Sequence, residues 1–469
     1  MLEKIVSAVN NIVWSPALIV LLIGAGLYFT IRTRCVQVRR FGLMARLLFG
    51  GGKKSGDGQT AHPEGKKGIS SFQAFCVALS GRVGTGNIVG VATAIAMGGP
   101  GAIFWMWIIA FLGASTAFVE STLAQIYKFP HSSGWRGGPA SYISEGLHSK
   151  TLGIIFAVFT ILGYGLLLAT VQANGAASAI HNSLGVPAIS GGVLLAAILA
   201  LVVIGGLKSI ANVASVVTPF MALGYVLISI AVLVVNWKAL PGMLASIVTN
   251  AFGINPLCGG ILGSTIAMGV KRGLFSNEAG QGGGAIVSAS AEVSHPAKQG
   301  LVQAFSVYVD TLLVCTATAL MILSSGTFNV FGPSGEMLWS GAPELGANYV
   351  GYTQAAVDSV FHGFGSGFIT LALFFFVFTT LMAYCFYAES SILYLFNLKP
   401  GSNPVLEKAA LWIYRTLLLV AVVFGAAKEA NLVWQIGDIG VGLTTWINVI
   451  AILILCPQAI KALKDLEGK

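Results

Sequence analysis

The sequence predicts an all-α polytopic membrane protein with about eleven transmembrane helices. Hydrophobic residues make up 55% of the 469 residues and charged residues only 9%, whereas a soluble domain carries about 25% charged residues. The chain also contains about eleven apolar segments of the roughly 20 residues that a helix needs to cross a bilayer. These observations exclude an ordinary soluble enzyme, a disordered scaffold and a nucleic-acid binder, despite the net charge of +9.

The apolar segments are numbered zero to ten along the chain. They cover residues 12–31, 69–97, 100–126, 152–180, 186–207, 210–236, 257–291, 301–325, 366–396, 409–427 and 431–457. Segment zero is predicted to be an additional N-terminal helix and not a cleaved signal peptide. Its apolar run is long, basic residues follow it, and no small-residue cleavage site ends it.

Basic residues orient the predicted bundle, because short cytoplasmic loops are enriched in Lys and Arg. Nine of the 26 basic residues follow segment zero: Arg32, Arg34, Arg39, Arg40, Arg46, Lys53, Lys54, Lys66 and Lys67. Alternation from a cytoplasmic 32–68 loop then places 19 basic residues inside and 3 outside. The stretch 326–365 contains no Lys or Arg and is predicted to be external, as is the N-terminus.

Two segments are interrupted by clusters of glycine and charge, so we expect discontinuous helices there. Segment one contains SGRVGTGN at 80–87, and segment six contains two clusters between 269 and 284. The two are the first and sixth of ten, which predicts two halves of five, at 69–236 and 257–457. Paired, glycine-interrupted segments in corresponding positions are typical of secondary transporters. The GTGNIVG run matches a dinucleotide pattern, but membrane helices flank it and no strand precedes it.

An opened helix exposes unpaired carbonyl groups on one side of the break and unpaired amides on the other. The carbonyls suit Na+ or an ammonium group, and the amides suit a carboxylate. A zwitterionic amino acid carries both charges, so the breaks favour an amino-acid site. A channel or a membrane-embedded enzyme is the alternative class. However, the sequence shows neither a repeated polar stripe nor a buried carboxylate, histidine or metal-binding constellation.

Four motifs resemble those of the alanine/glycine:cation symporter family, also called sodium:alanine symporters. They are GRVGTGNIVGVATA at 81–94, GGPGAIFWMWIIAFLGA at 98–114, QAN at 172–174 and KRGLFSNEAG at 271–280. The resemblance implies a leucine-transporter fold, with two inverted five-helix repeats and an extra N-terminal helix. It also implies alternating access and sodium-coupled transport of alanine or glycine across the cell membrane. Proton coupling, or transport of serine or glutamine, remains the alternative.

The same resemblance implies the site residues. The expected sodium ligands are the carbonyls of Ser80 and Val83 and the hydroxyls of Thr379 and Thr380. The expected substrate contacts are Thr85, Gly86, Gln172, Asn174, Met268, Gly269 and Phe275. The partners are a small neutral amino acid, Na+ as coupling ion and the lipid bilayer, with no organic cofactor, no nucleic acid and no enzyme activity.

Three acidic residues lie inside predicted segments: Glu120, Asp310 and Asp438. Charges at membrane depth are costly and are usually paired or functional. We expect these carboxylates to pair with Arg82, Lys271 or Arg272, as part of a gate or of the scaffold. The domain division that follows from all these features is 1–31, 32–68, 69–236, 257–457 and a cytoplasmic tail at 458–469.

Overall fold

The computed structural model describes residues 2–49, 68–254, 261–398 and 403–468. Six of the basic residues used to orient the bundle lie outside these ranges: Lys53, Lys54, Lys66, Lys67, Lys399 and Lys469. Residues 50–67 of the predicted 32–68 loop and the first residues of segment six also lie outside them.

The first half of the described chain is built almost entirely from helices. They are α1 (Leu2–Val13), α2 (Pro16–Arg32), α3 (Val36–Arg39), α4 (Phe41–Phe49), α5 (Ser71–Arg82), α6 (Val91–Gly98), α7 (Gly101–Ile126), α8 (Pro139–Gly146), α9 (Lys150–Leu162), α10 (Ala169–Leu184), α11 (Ala188–Val203), α12 (Gly206–Val235) and α13 (Leu240–Ala251). Gly86–Gly90 and Gly163–Leu168 form π-helical turns, and Trp237–Ala239 a 3₁₀ turn. β1 (Phe129–His131) and β2 (Gly134–Arg136) form an antiparallel hairpin.

The second half continues in the same way. Its helices are α14 (Leu262–Asn277), α15 (Gly283–Ala289), α16 (Pro296–Val307), α17 (Thr316–Ser325), α18 (Tyr349–Asp358), α19 (Gly365–Asn397), α20 (Pro404–Ala427) and α21 (Ala430–Leu466). A π-helical turn at Tyr308–Cys315 joins α16 to α17. The predicted external stretch holds the antiparallel hairpin of β3 (Asn329–Phe331) and β4 (Met337–Ser340), a 3₁₀ turn at Pro343–Leu345, and α18.

Within the described ranges, eight helical stretches are long and apolar enough to cross a membrane. A ninth span is the bent pair Ser71–Arg82 and Gly86–Gly98, which meet at 51°. The two other predicted segments correspond to α11, which has only 16 residues, and to the interrupted pair α14 and α15. The all-α polytopic class is confirmed, and α13 is an additional helix that the apolar segments did not predict.

Both discontinuous helices are fixed at one end by the same local structure. α5 begins with a capping box in which Ser70 and Gln73 satisfy each other's backbone amides. Just before it, the Ile69 amide donates to the Ser290 carbonyl (3.1 Å), and the Glu292 amide donates to the Ile69 carbonyl (2.9 Å). The start of α5 is therefore tied to the residues that follow α15, which holds the two interrupted segments side by side.

The position predicted for the second break is partly wrong. α14 runs without interruption through the first glycine cluster, 269–273, and ends at Asn277. The chain opens only at 278–282, where Glu278, Gly280 and Gly282 have φ angles of 55°, 92° and 96°. The earlier glycines serve packing: a Cβ on Gly269 would lie 2.5 Å from the Ala102 carbonyl oxygen, on α7.

Candidate functional site

The break after α5 brings together three of the four predicted sodium ligands. The Thr380 hydroxyl oxygen lies 2.8 Å from the Ser80 carbonyl oxygen and 3.1 Å from that of Val83. It also lies 2.8 Å from the Phe376 carbonyl oxygen of its own helix. A hydroxyl has a single hydrogen to donate, so this arrangement is a cluster of four oxygens. Ser80, Val83 and Thr380 are fully buried.

The Thr379 hydroxyl forms no hydrogen bond with the Ser80 or Val83 carbonyl. It bonds back to the Phe375 and Phe376 carbonyls of its own helix, at 3.1 and 3.0 Å. It also lies 3.7 Å from the Met221 sulfur on α12. Successive residues of an α-helix point about 100° apart, so only one of two adjacent threonines faces α5.

Glycine at position 84 allows the close approach of the surrounding groups. A Cβ there would lie 2.6 Å from the Gln172 carboxamide oxygen and 2.6 Å from the Thr380 hydroxyl. The same carboxamide oxygen accepts the Thr85 amide hydrogen at 2.8 Å, and the carboxamide nitrogen lies 3.4 Å from the Tyr384 hydroxyl. Gln172 therefore already accepts a hydrogen bond from the backbone amide of Thr85, which is one of the expected substrate contacts.

Gly86 lies at the start of the π-helical turn that continues the broken helix. A Cβ at this position would lie 3.0 Å from the Phe275 ring, which packs on the Trp434 ring with centroids 4.9 Å apart. Phe275 thus covers the break, as expected of a residue close to the site. Met268 and Gly269 lie two turns earlier in α14 and do not border the second break.

Asn174 faces away from the break. Its side-chain amide donates to the carbonyls of Gly425 (3.1 Å) and Lys428 (2.8 Å) at the C-terminal end of α20. Carbonyl groups at a helix end lack partners within the helix. The structure therefore gives Asn174 a capping role on a neighbouring helix, and within the described ranges its side chain forms no hydrogen bond to the opened backbone.

Asp310 connects the two interrupted segments, a role that the sequence analysis did not identify. Its carboxylate accepts hydrogen bonds from Asn87 (2.7 Å), from Ser276 (2.9 Å) and from Thr311 (2.6 Å). Asn87 in turn accepts the Gly84 amide hydrogen at 2.8 Å. The available signals were the acidic residue in an apolar segment and the asparagine that ends the GTGN motif.

The expected pairing of buried charges is confirmed for Asp438 only. One Asp438 oxygen lies 2.7 Å from the Lys271 ammonium and 2.7 Å from the Arg272 guanidinium. Among the described residues, neither Glu120 nor Asp310 forms an ion pair. Glu120 instead accepts a hydrogen bond from the Asn448 side chain at 2.9 Å.

Buried oxygens that converge at one opened helix, beside a second opened helix in an apolar bundle, define a secondary transporter of the membrane. The chain belongs to the sodium:alanine symporter family, whose sequence model matches residues 1–469. The family membership that the four motifs implied is confirmed.

Individual relatives agree with this assignment. The chain is 46% identical over 403 residues to the sodium/proton-dependent alanine carrier protein of Bacillus sp. strain PS3, covering 85% of this chain and 88% of that protein. It is 41% identical over 464 residues to the probable sodium/glutamine symporter GlnT of Bacillus subtilis, covering 99% and 90%. The structure of a Na+-coupled sialic acid symporter has the same fold, with a TM-score of 0.52, 12% identity, and coverage of 95% of this chain and 86% of that one. The expected leucine-transporter fold is therefore confirmed.

Proposed function

We propose that this protein is a sodium-coupled symporter of small neutral amino acids, with alanine and glycine as substrates, working by alternating access. The observation that supports this most is the cluster of the Thr380 hydroxyl with the Ser80 and Val83 carbonyls. Oxygen donors, including carbonyls of an unwound helix, are the ligands that Na+ takes in transporters of this kind. The name of the Bacillus sp. relative supports both alanine and sodium.

The substrate carboxylate is proposed to bind the backbone amides of Thr85 and Gly86. In the present conformation the Gln172 carboxamide oxygen accepts the Thr85 amide hydrogen. A buried amide without a partner costs about 1–3 kcal/mol, so Gln172 satisfies this donor until a carboxylate replaces it. The Gln172 carboxamide nitrogen donates to the Tyr384 hydroxyl, and this hydrogen bond can hold the side chain in place during that exchange.

The substrate site proposed here comprises Thr85, Gly86, Gln172 and Phe275. The other predicted residues have contacts that account for them differently. Asn174 caps α20, Gly269 packs against α7, and Met268 lies beside Gly269 in the uninterrupted part of α14.

Uptake by purified protein in liposomes tests the proposal. An inward sodium gradient should drive accumulation of labelled alanine and glycine, and replacement of sodium by choline should stop it. Unchanged uptake in choline, with uptake driven by a pH gradient instead, would favour proton coupling. Preference for glutamine over alanine would instead indicate a glutamine transporter, as the name of the relative GlnT suggests for that protein. Release of a chemically altered amino acid would indicate an enzyme.

The orientation is proposed from the basic residues: N-terminus outside, 32–68 loop and C-terminal tail in the cytoplasm. Single cysteines introduced at Ser55 and Ser334, in a protein lacking its native cysteines, should react with an impermeant maleimide from opposite sides of the cell membrane. Reaction of both from one side would contradict this orientation and the division into repeats that depends on it.

A further inference from the structure

A buried cluster of charge joins α14, one helical turn before Phe275, to α21. It consists of Lys271, Arg272 and Asp438, and is called here the paired-cation cluster. Both basic groups contact the same Asp438 oxygen at 2.7 Å. The exposed fractions of the three side chains are 16% for Lys271, 4% for Arg272 and 3% for Asp438. Lys271 is thus partly accessible from the surface, whereas the Arg272 guanidinium is almost entirely buried.

The cluster has an excess of positive charge and of hydrogen-bond donors. Two cations share one carboxylate, which leaves a net charge of +1. Arg272 uses only its Nη2 atom to reach Asp438. Its Nε and Nη1 atoms are buried without a hydrogen-bond partner among the described residues. Asp438 Oδ1 is also buried without a hydrogen-bond partner among the described residues. Unpartnered charged donors are costly in a protein interior, and each of the two free guanidinium nitrogens can donate to a carboxylate oxygen.

Aromatic rings hold the guanidinium in place and leave its edge available. The Arg272 guanidinium lies 4.6 Å from the Trp434 ring centroid and 5.5 Å from that of Phe275. The Lys271 ammonium lies 5.2 Å from the Trp14 ring centroid, and the Trp14 indole nitrogen donates to the Asp438 backbone carbonyl at 2.8 Å. Cation–π contacts occupy the ring faces and supply no acceptor for the remaining N–H groups.

The position of the cluster connects it to the proposed substrate site. Phe275 lies near both Arg272 and Gly86, since a Cβ on Gly86 would lie 3.0 Å from its ring. A Cβ on Gly90 would lie 3.7 Å from the Trp434 ring and 3.9 Å from Arg272 Cδ. Trp14 immediately precedes α2, so the cluster lies at the end of α2 opposite to Arg32 and the basic residues that follow it. In the proposed orientation this is the external side.

We infer that Lys271 and Arg272 form a capture site for the carboxylate of the incoming amino acid, which passes from there to the amides of Thr85 and Gly86. An ion pair that merely closed the bundle would need one cation for Asp438. The second cation and the unused guanidinium N–H groups instead fit an anion that arrives from outside. This inference rests on the proposed function, since the ligand is the substrate of that function.

The test measures the initial rate of labelled alanine uptake in proteoliposomes at saturating sodium gluconate. Lys271→Gln removes the more accessible cation and leaves the buried Arg272–Asp438 pair intact. Alanine is a zwitterion without net charge, so the lysine acts by direct contact with the carboxylate, and we expect its loss to raise KM about three- to tenfold with kcat unchanged. Added choline gluconate supplies a competing carboxylate, so it should raise the wild-type KM and affect the variant much less. Lys271→Arg should restore the wild-type behaviour.

Lys238→Gln is the matched control, because Lys238 is exposed, lies on the same predicted external side and is not part of the cluster. An unchanged KM in Lys271→Gln, an equal rise in Lys238→Gln, or a fall in kcat at constant KM would overturn the capture site. Wild-type protein that takes up no small neutral amino acid would contradict the proposed function itself, which is a separate result.

Discussion

The two breaks use glycine for different physical reasons. At the first break none of residues 80–90, all of which the structure describes, has a positive φ angle. Its glycines matter because Gln172, Thr380 and Phe275 approach the backbone where a side chain would otherwise lie. At the second break Gly280 and Gly282 have φ angles of 92° and 96°, which glycine adopts readily and other residues do not. Glycine therefore provides space at the first break, and at the second it allows the left-handed backbone that separates α14 from α15.

The largest effect should come from filling the space at the first break. Gly84→Ala places a methyl group 2.6 Å from both Gln172 and Thr380, so the two proposed binding groups must move. Misplacement of this size can cost about 100-fold in rate, and we expect sodium-driven alanine uptake to fall by about that factor. Gly224→Ala is the control, since its Cβ would meet no atom within 4 Å. Near-normal uptake in well-folded Gly84→Ala protein would contradict the role given to this space.

The two adjacent threonines are expected to have different roles: Thr380 binds sodium, and Thr379 only packs within the bundle. Loss of the Thr380 hydroxyl should cost about 1–2 kcal/mol, as for a bond to a charged group. This corresponds to a roughly 5- to 30-fold rise in the sodium concentration that gives half-maximal uptake. Thr379→Ala should leave that concentration within about twofold, because its hydroxyl bonds only to carbonyls of its own helix and lies near Met221. If both variants changed the half-maximal sodium concentration equally, Thr380 could not be the only one of the two threonines that binds sodium.

Substitution at the second break should act on stability and not on ligand affinity. Gly282→Ala forces a side chain into the left-handed region and against the Pro139 ring, at 2.4 Å. We expect the free energy of unfolding to fall by about 1–3 kcal/mol, measured as a lower thermal transition in detergent. The sodium dependence of the remaining uptake should match that of the wild type. A change in sodium dependence without loss of stability would mean that the two breaks do not differ in this way.

The smallest effect on transport is expected at Asn174. Asn174→Ala removes two hydrogen bonds to carbonyls at the end of α20. It should lower stability by about 1 kcal/mol and leave the KM for alanine within about twofold. A large rise in KM at unchanged stability would restore Asn174 to the substrate site.

Much of the candidate site could be predicted from the sequence because the relevant signals are local. A low content of charge and repeated apolar runs fix a membrane bundle, since the bilayer tolerates little else. Glycine and charge inside an apolar run mark irregular backbone, and the family resemblance of the SGRVGTGN run at 80–87 led to Ser80 and Val83 at the first break. Family motifs also led to Thr380 and Gln172, both of which the structure brings to that break.

The tertiary structure decided what a one-dimensional pattern leaves open, namely which way each side chain points and what it meets. The sequence pattern predicted a helix break at Gly269 and Gly273, yet both are helical and α7 packs against them. The sequence alone does not distinguish a glycine that allows close helix packing from a glycine that interrupts a helix. Thr379 and Asn174 are adjacent to useful positions, but a rotation of about 100° per residue turns them towards other helices. Asp310 became a bridge only because Asn87 and Ser276 lie beside it in space. Contacts between residues distant in sequence depend on how the helices pack, and that packing is a property of the whole fold.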